Sequence, residues 1–308
     1  MQYAAHLPLV DFDASGYAAG DLASYTDTAR QAGFDAIASN DHFIFQKPWL
    51  DGIVALASVV DRSGDMLLAT TVSLPVVRGP IALAKAAAAL DIISGGRLVL
   101  GVGPGSSARD YEAVGVPFDE RWPRLDEAVR VLRAHLKSDA PAFEGKHYDS
   151  KAPLLPRPNR PEGPPIWIGS WGSDTGLRRV ARRGDGWLAS AYNTTPDQMA
   201  EGRDKLLTHL GEAGKDSATF PIALATMWTY VTSDAAKADA KLEALAAMLN
   251  RDPAALREQV LIGPPDQCAA KLRRYDEIGV DRVFIWPLAD ANAQLETFMR
   301  DVAPLVQA

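Results

Sequence analysis

Short runs of apolar and β-branched residues recur along this chain at intervals filled by helix-length amphipathic stretches, and that alternation limits the fold more than any other feature. Eight runs are read as strands, at 3–10, 34–39, 66–74, 97–101, 165–169, 186–190, 221–231 and 281–286. Eight helical segments separate and follow them, at about 22–32, 50–61, 81–93, 123–136, 174–183, 196–212, 235–249 and 266–278. Strands that alternate with helices form parallel sheets, because the helix is the crossover that returns the chain to the same edge. Eight such units predict a closed (β/α)8 barrel, with a doubly wound open sheet as the alternative that gives similar local signals.

A junction pattern supports the phase of this reading. Gly33-Phe34-Asp35, Gly184-Asp185 and Gly279-Val280-Asp281 each put a glycine at a predicted helix end and an aspartate at the entry to the next strand. Glycine takes the left-handed conformation that closes a helix, so all three are read as αβ turns. The segment 140–164 differs, with Pro141, Pro153, Pro156, Pro158, Pro161 and Pro164 in it and Pro165 at its edge. Proline lacks an amide donor, so an extended connector is expected there. Four strands precede it and four follow, neither half could close a barrel alone, and the whole of 1–308 is read as one domain.

Composition narrows the function. Of 308 residues, 47% are hydrophobic, enough for a substantial core, and 39 acids against 32 bases give a net charge of −7, which disfavours nucleic acid and anionic membranes as partners. The apolar stretch 81–93 is interrupted by Lys85 and Asp91 and falls short of the roughly 20 residues a bilayer requires. A single cysteine, Cys268, and an N-terminus without a basic, then apolar, leader point to the cytoplasm. The five histidines have no short metal-ligand spacing, so no metal is expected.

In a parallel barrel the chemistry sits at the C-terminal strand ends. Four stretches lie there: Ser39-Asn40-Asp41-His42-Phe43, Ala69-Thr70-Thr71-Val72-Ser73, Gly101-Val102-Gly103-Pro104-Gly105-Ser106-Ser107 and Gly169-Ser170-Trp171-Gly172-Ser173. His42 can carry a proton near neutral pH, and Asp41 beside it could set its charge or orientation, although such a pair also serves as a plain hydrogen bond at a strand end. The two glycine-rich stretches offer unobstructed amides to an anion such as a phosphate, or else serve as tight turns. Neither is a dinucleotide fingerprint, because Ser106 stands in place of the third glycine, and neither contains a nucleophile-elbow or P-loop pattern.

As an ordered set these landmarks resemble the luciferase-like oxidoreductases. The set runs from Asn40-Asp41-His42-Phe43 through Leu68-Ala69-Thr70-Thr71-Val72, 97–105 and 111–116 to Pro164-Pro165-Ile166-Trp167-Ile168-Gly169 and Asp185-Gly186-Trp187, nearly the whole chain. The resemblance implies a (β/α)8 barrel that binds FMN or its deazaflavin analogue, coenzyme F420, and moves hydride to or from the ring. The Asp-His after strand two is similar to that of the F420-dependent branch. By position, His42 would handle the proton and Asp41 would adjoin the cofactor. Thr71-Val72 would form a bulge behind the ring, with a non-proline cis peptide. Gly103, Gly105, Ser106, Ser170, Trp171 and Gly172 would contact ring and phosphate. Sugar-phosphate dehydrogenases of this branch carry Glu where Ser106 stands, so their acid and their substrate do not transfer.

The leading expectation is therefore an F420-dependent oxidoreductase with a small organic substrate. An FMN-dependent monooxygenase using oxygen is the alternative, and a non-catalytic cofactor carrier the third reading, disfavoured by the intact Asp41-His42. A homodimer is an open alternative to a monomer. Phe43, Phe45, Trp49 and Trp228 suit a planar or hydrophobic substrate as well as they suit core packing.

Overall fold

The computed structural model describes residues 1–12, 14, 16–137, 143–150 and 153–307. Its main element is a closed parallel barrel, so the open-sheet alternative is excluded. The strands are β1 (Gln2–His6), β2 (Ala36–Ser39), β3 (Leu67–Thr70), β4 (Leu98–Val102), β5 (Ile166–Gly169), β6 (Gly186–Ser190), β7 (Ile222–Val231) and β8 (Arg282–Pro287). Each pairs in parallel with the next, and β8 closes on β1 with Gln2 opposite Arg282.

Strands buried on both faces need apolar residues at every position, which is why these runs are continuous rather than alternating. Ala4, Ala36, Ala38 and Ala69 point into the same interior cluster as Val99, Trp167, Leu188 and Phe284, so small residues on one side leave room for rings from the other. Their sequence neighbours Tyr3, Ala5, Ile37 and Leu68 face outward and pack under the helices. The interior is therefore filled, and only the strand ends are available for chemistry.

The three Gly–Asp junctions lie at the opposite end of the barrel, where they bind strands together. Asp185 Oδ2 accepts from the Ile166 amide at 2.9 Å, Asp281 Oδ2 accepts from Ile222 at 2.7 Å, and Asp35 Oδ1 pairs with Arg282 Nε at 2.9 Å. Gly33 and Gly279 are left-handed at φ 92° and 89°, as predicted. Gly184 is not: its φ is −95°, and a Cβ there would crowd the Val180 carbonyl oxygen at 3.0 Å.

Several strand ends differ from the expectation. β1 stops at His6 and β3 at Thr70, four residues short in each case of the predicted 10 and 74, because the chain turns over the barrel mouth at these points. A short strand, Leu261–Gly263, that sequence reading left out adds to the outer end of β7. The connector contains a hairpin, Phe143–Glu144 with Asp149–Ser150, and Glu127 accepts the amides of Lys146, His147 and Tyr148 beside it. Its Pro141 lies outside the described residues. No described helix is long and apolar enough to cross a membrane.

Candidate active site

His42 follows β2 and lines a cleft of about 400 Å³ at the barrel mouth. Its side chain is 20% exposed, and its Nδ1 lies 2.9 Å from Oδ2 of Asp110, a carboxylate that is itself 1% exposed. The other carboxylate oxygen, Oδ1, accepts the amides of Phe43 and Ile44 at 2.9 and 2.7 Å. Burial raises the Asp110 pKa, but the His42 bond and these two amides outweigh it and hold the carboxyl below its ordinary value. An ionised carboxylate only accepts, so Nδ1 carries the proton and Nε2 is left to face the cleft. Sequence reading missed Asp110, which comes from the helix Ala108–Ala113 after β4; an Asp four residues after Ser106 was the available signal.

Asp41, the partner expected for His42, is engaged elsewhere. Its Oδ1 receives Arg78 Nη2 at 2.6 Å, and its Oδ2 receives Arg78 Nε at 2.7 Å and the Leu74 amide at 3.1 Å. Successive residues of an extended chain project to opposite sides, so adjacency in sequence does not bring the two side chains together. Arg78 also reaches Asp51 Oδ2 at 2.7 Å and lies over the Phe43 ring at 5.3 Å, so one guanidinium holds the segment on either side of His42.

The Thr71–Val72 peptide is cis. The Thr71 amide donates to Ser39 and the Val72 carbonyl accepts from the Asp41 amide at 3.1 Å, which ties the bulge to the His42 segment. Val72 packs beneath bare backbone: a Cβ on Gly103 would stand 3.0 Å from Val72 Cγ2, and one on Gly169 would stand 3.2 Å from Cγ1. Gly105 is left-handed at φ 74°, with the Leu74 side chain 3.0 Å from where its Cβ would be.

Ser106 and Trp171 line the same cleft as His42, and Trp171 is 59% exposed. Ser170 is buried, and its carbonyl accepts from the Trp187 indole at 2.9 Å while its hydroxyl accepts the Gly172 amide at 3.3 Å. Gly172, at φ 88°, has open space where a Cβ would be. The segments singled out from sequence thus meet around one barrel mouth, with Asp41 beneath it rather than against His42.

These residues fit a flavin-type ring. The missing side chains at Gly103 and Gly169 let the backbone close on Val72, and the buried hydroxyls of Ser39 and Ser73 have no partner at the same strand ends. Buried polar atoms without partners are uncommon, and a heterocycle edged with donors and acceptors would satisfy them.

An aromatic cluster packs behind His42. His6, at the end of β1, stacks on Trp286 at 3.7 Å, Trp286 stacks on Trp228 at 4.2 Å, and Trp49 meets the edges of Trp286, Phe45 and His42. His6 Nδ1 donates to the Leu7 carbonyl at 2.8 Å, and burial pushes its pKa down to about 3, so the ring stays neutral. Sequence reading kept His6 out of the site because the first strand was drawn through to residue 10.

The model of the luciferase-like monooxygenase family matches residues 7–254. An F420-dependent glucose-6-phosphate dehydrogenase of Amycolatopsis mediterranei (strain U-32) is 26% identical over 94% of this chain and 95% of its own. An F420-dependent secondary alcohol dehydrogenase, solved with an F420–acetone adduct, superposes with a TM-score of 0.87 at 20% identity, covering 100% of this chain and 99% of its own. The monooxygenase RslO1 of Streptomyces bottropensis superposes with a TM-score of 0.83 at 22% identity, covering 99% of both chains.

Proposed function

Because the chain belongs to the luciferase-like monooxygenase family, we propose that it is an oxidoreductase that moves hydride between coenzyme F420 and a small organic substrate. The observation that carries this reading is the His42–Asp110 pair, with His42 lining a cleft that Ser106 and Trp171 also line. When bound, F420 supplies a ring that takes up or gives back two electrons as a hydride. The chain supplies the rest. Val72 and Gly103 would stand behind the ring, and Gly105, Ser106, Ser170 and Gly172 would offer hydroxyls and amides to the cofactor. Asp110 holds His42 in one tautomer, and Nε2 takes or returns the substrate proton. Asp41 acts through Arg78, keeping the loop in place. The relatives named as F420-dependent support the choice of deazaflavin over FMN. The net charge of −7 suits small-molecule partners, and a cytoplasmic setting suits the free, buried Cys268.

Equilibrium titration of the purified protein with F420 and with FMN tests the proposal. F420 should bind at least about tenfold more tightly, a difference of about 1.4 kcal/mol. Tight FMN binding, with oxygen consumed by the reduced complex, would instead establish the flavin monooxygenase.

A further inference from the structure

The Asp185 junction, at the end of the barrel opposite His42, borders a cavity of about 520 Å³. Arg133, Lys137, Arg182, Arg183 and Lys215 converge on it, and its acids are Glu162 and Asp185, so its lining holds a surplus of three positive charges. The whole chain, by contrast, carries −7. We propose that this cavity is a binding site for a small phosphate-bearing anion. Cations are favoured in the last turn of a helix, which accounts for Arg182 and Arg183 at the end of Asp174–Arg183. Lys137 and Lys215 lie beyond the ends of Arg121–Leu136 and Pro196–Glu212, so the helix dipoles do not account for the whole surplus.

The two acids leave this charge unmet. Asp185 Oδ2 already accepts from the Ile166 amide at 2.9 Å and from Arg133 Nη2 at 2.6 Å. Arg133 uses the same Nη2 to reach the Arg183 carbonyl at 3.2 Å, and the rest of its fork has no partner among the described residues. Glu162 pairs with Lys137 at 2.8 Å but is 82% exposed, and a surface pair of this kind contributes little, so an anion displaces it readily. Arg182 has no hydrogen-bond or ion-pair partner among the described residues. Lys215 donates to the Gly184 carbonyl, and burial, opposed by Asp185 and reinforced by Arg133, holds its pKa below the ordinary lysine value. A phosphate suits this set, because guanidinium forks match its oxygens in pairs and an ammonium serves it as a point charge.

The connector side of the cavity is held in place. Pro164 and Pro165 line it and have no amide to donate, so bonds to a ligand come from the cationic side chains. The segment before them is fastened to the barrel by Asp91, whose Oδ2 accepts the amides of Asn159 and Arg160 at 3.0 and 3.3 Å and whose Oδ1 accepts Arg160 Nε at 3.2 Å. Gly163 is left-handed at φ 79°, and a Cβ on it would stand 2.8 Å from the Leu136 carbonyl oxygen, so the connector lies directly on the helix that carries Arg133. A ligand therefore meets donors that are already placed, which lowers the ordering cost of binding. This lining shares no residue with that of the His42 cleft, and the inference stands apart from the proposed reaction.

The test is calorimetric titration of the full chain with pyrophosphate and, separately, with glucose 1-phosphate, at constant ionic strength. Pyrophosphate should bind with a Kd below about 1 mM. Binding of glucose 1-phosphate as well marks the phosphate end of an organic molecule as the ligand, and binding of pyrophosphate alone marks free inorganic phosphates. Arg182→Gln alters an exposed, unpartnered side chain, so it should weaken binding by about fivefold with an unchanged melting temperature. Adding Lys215→Gln should bring the loss to about tenfold or more. Glu162→Gln frees Lys137 and should tighten binding by about twofold. Arg109→Gln, in the His42 cleft, should leave it unchanged. Absence of saturable binding, an unchanged affinity in the Arg182→Gln, Lys215→Gln variant, or a loss on Arg109→Gln instead overturns the proposal.

Discussion

His42 and Asp110 stand 68 residues apart in the chain and 2.9 Å apart in the fold, with the histidine at the cleft and the carboxylate buried behind it. In the proposed reaction the two groups would do different work: His42 would exchange a proton at Nε2, and Asp110 would fix which nitrogen is free to do so.

Asp110→Asn should therefore reduce turnover about 10- to 100-fold with F420 affinity little changed, because an amide no longer enforces the Nδ1–H tautomer. His42→Ala should reduce it about 10²- to 10⁴-fold, the range typical of a positioned acid–base group. Single-turnover kinetics with a melting curve on the same preparations separates this from damage to the fold. A stable, fully active His42→Ala variant excludes the acid–base role.

The glycine-bearing strand ends around Val72 and Leu74 should be sensitive to an added side chain. Gly103→Val pushes on Val72, and Gly105→Val places a branched residue at φ 74° against Leu74. Each should weaken F420 binding by tenfold or more. Gly172→Ala meets open space, so its effect should be confined to the strain of a positive φ and should be smaller. Fluorescence titration of the three variants gives the order directly.

Arg78 holds a carboxylate that is 1% exposed. Removing one member of a buried pair leaves the other charged and unpaired, so Arg78→Ala should cost about 3 kcal/mol or more in denaturant unfolding. Arg78→Lys should recover little, since an ammonium cannot make the two-pronged contact with Asp41 while also reaching Asp51. The double variant Arg78→Ala, Asp41→Asn should recover part of the loss, and strict additivity would show that the pair is not coupled.

Burial lowers the pKa of His6 to about 3, and burial with the nearby Arg157 charge lowers that of His135. Below the ordinary value of 6.5 the unfolded chain binds protons at these positions that the folded chain refuses. Stability should therefore fall as pH drops from about 6.5 towards 4, by up to ~1.4 kcal/mol per pH unit for His6, with His135 acting in the same direction. Asp110 acts in the same direction but lower: its contribution is present above the usual carboxylate range and is lost as pH falls through its depressed folded value. His6→Phe keeps a ring on Trp286 and removes one titrating group, so its unfolding free energy should show a shallower slope between pH 6.5 and 4. An unchanged slope would mean that His6 takes up a proton in the folded chain.

What the sequence by itself determined is what depends on near neighbours. Continuous apolar runs mark strands buried on both faces, glycine and proline mark where they stop, and the barrel count follows, so eight strands and the segments at their C-terminal ends were legible before any coordinates. The Thr71–Val72 cis bond was legible through the resemblance rather than through local physics. The tertiary structure alone decided which groups are partners. Asp41 was the natural partner of His42 on the line of the chain, yet its carboxylate meets Arg78, 37 residues on, and His42 meets Asp110. His6 reads as one more residue of a long first strand until the chain turns and lays it on Trp286. Hydrogen bonds and ring contacts act over a few ångströms through space, and strand closure brings distant residues within that range while directing adjacent side chains apart.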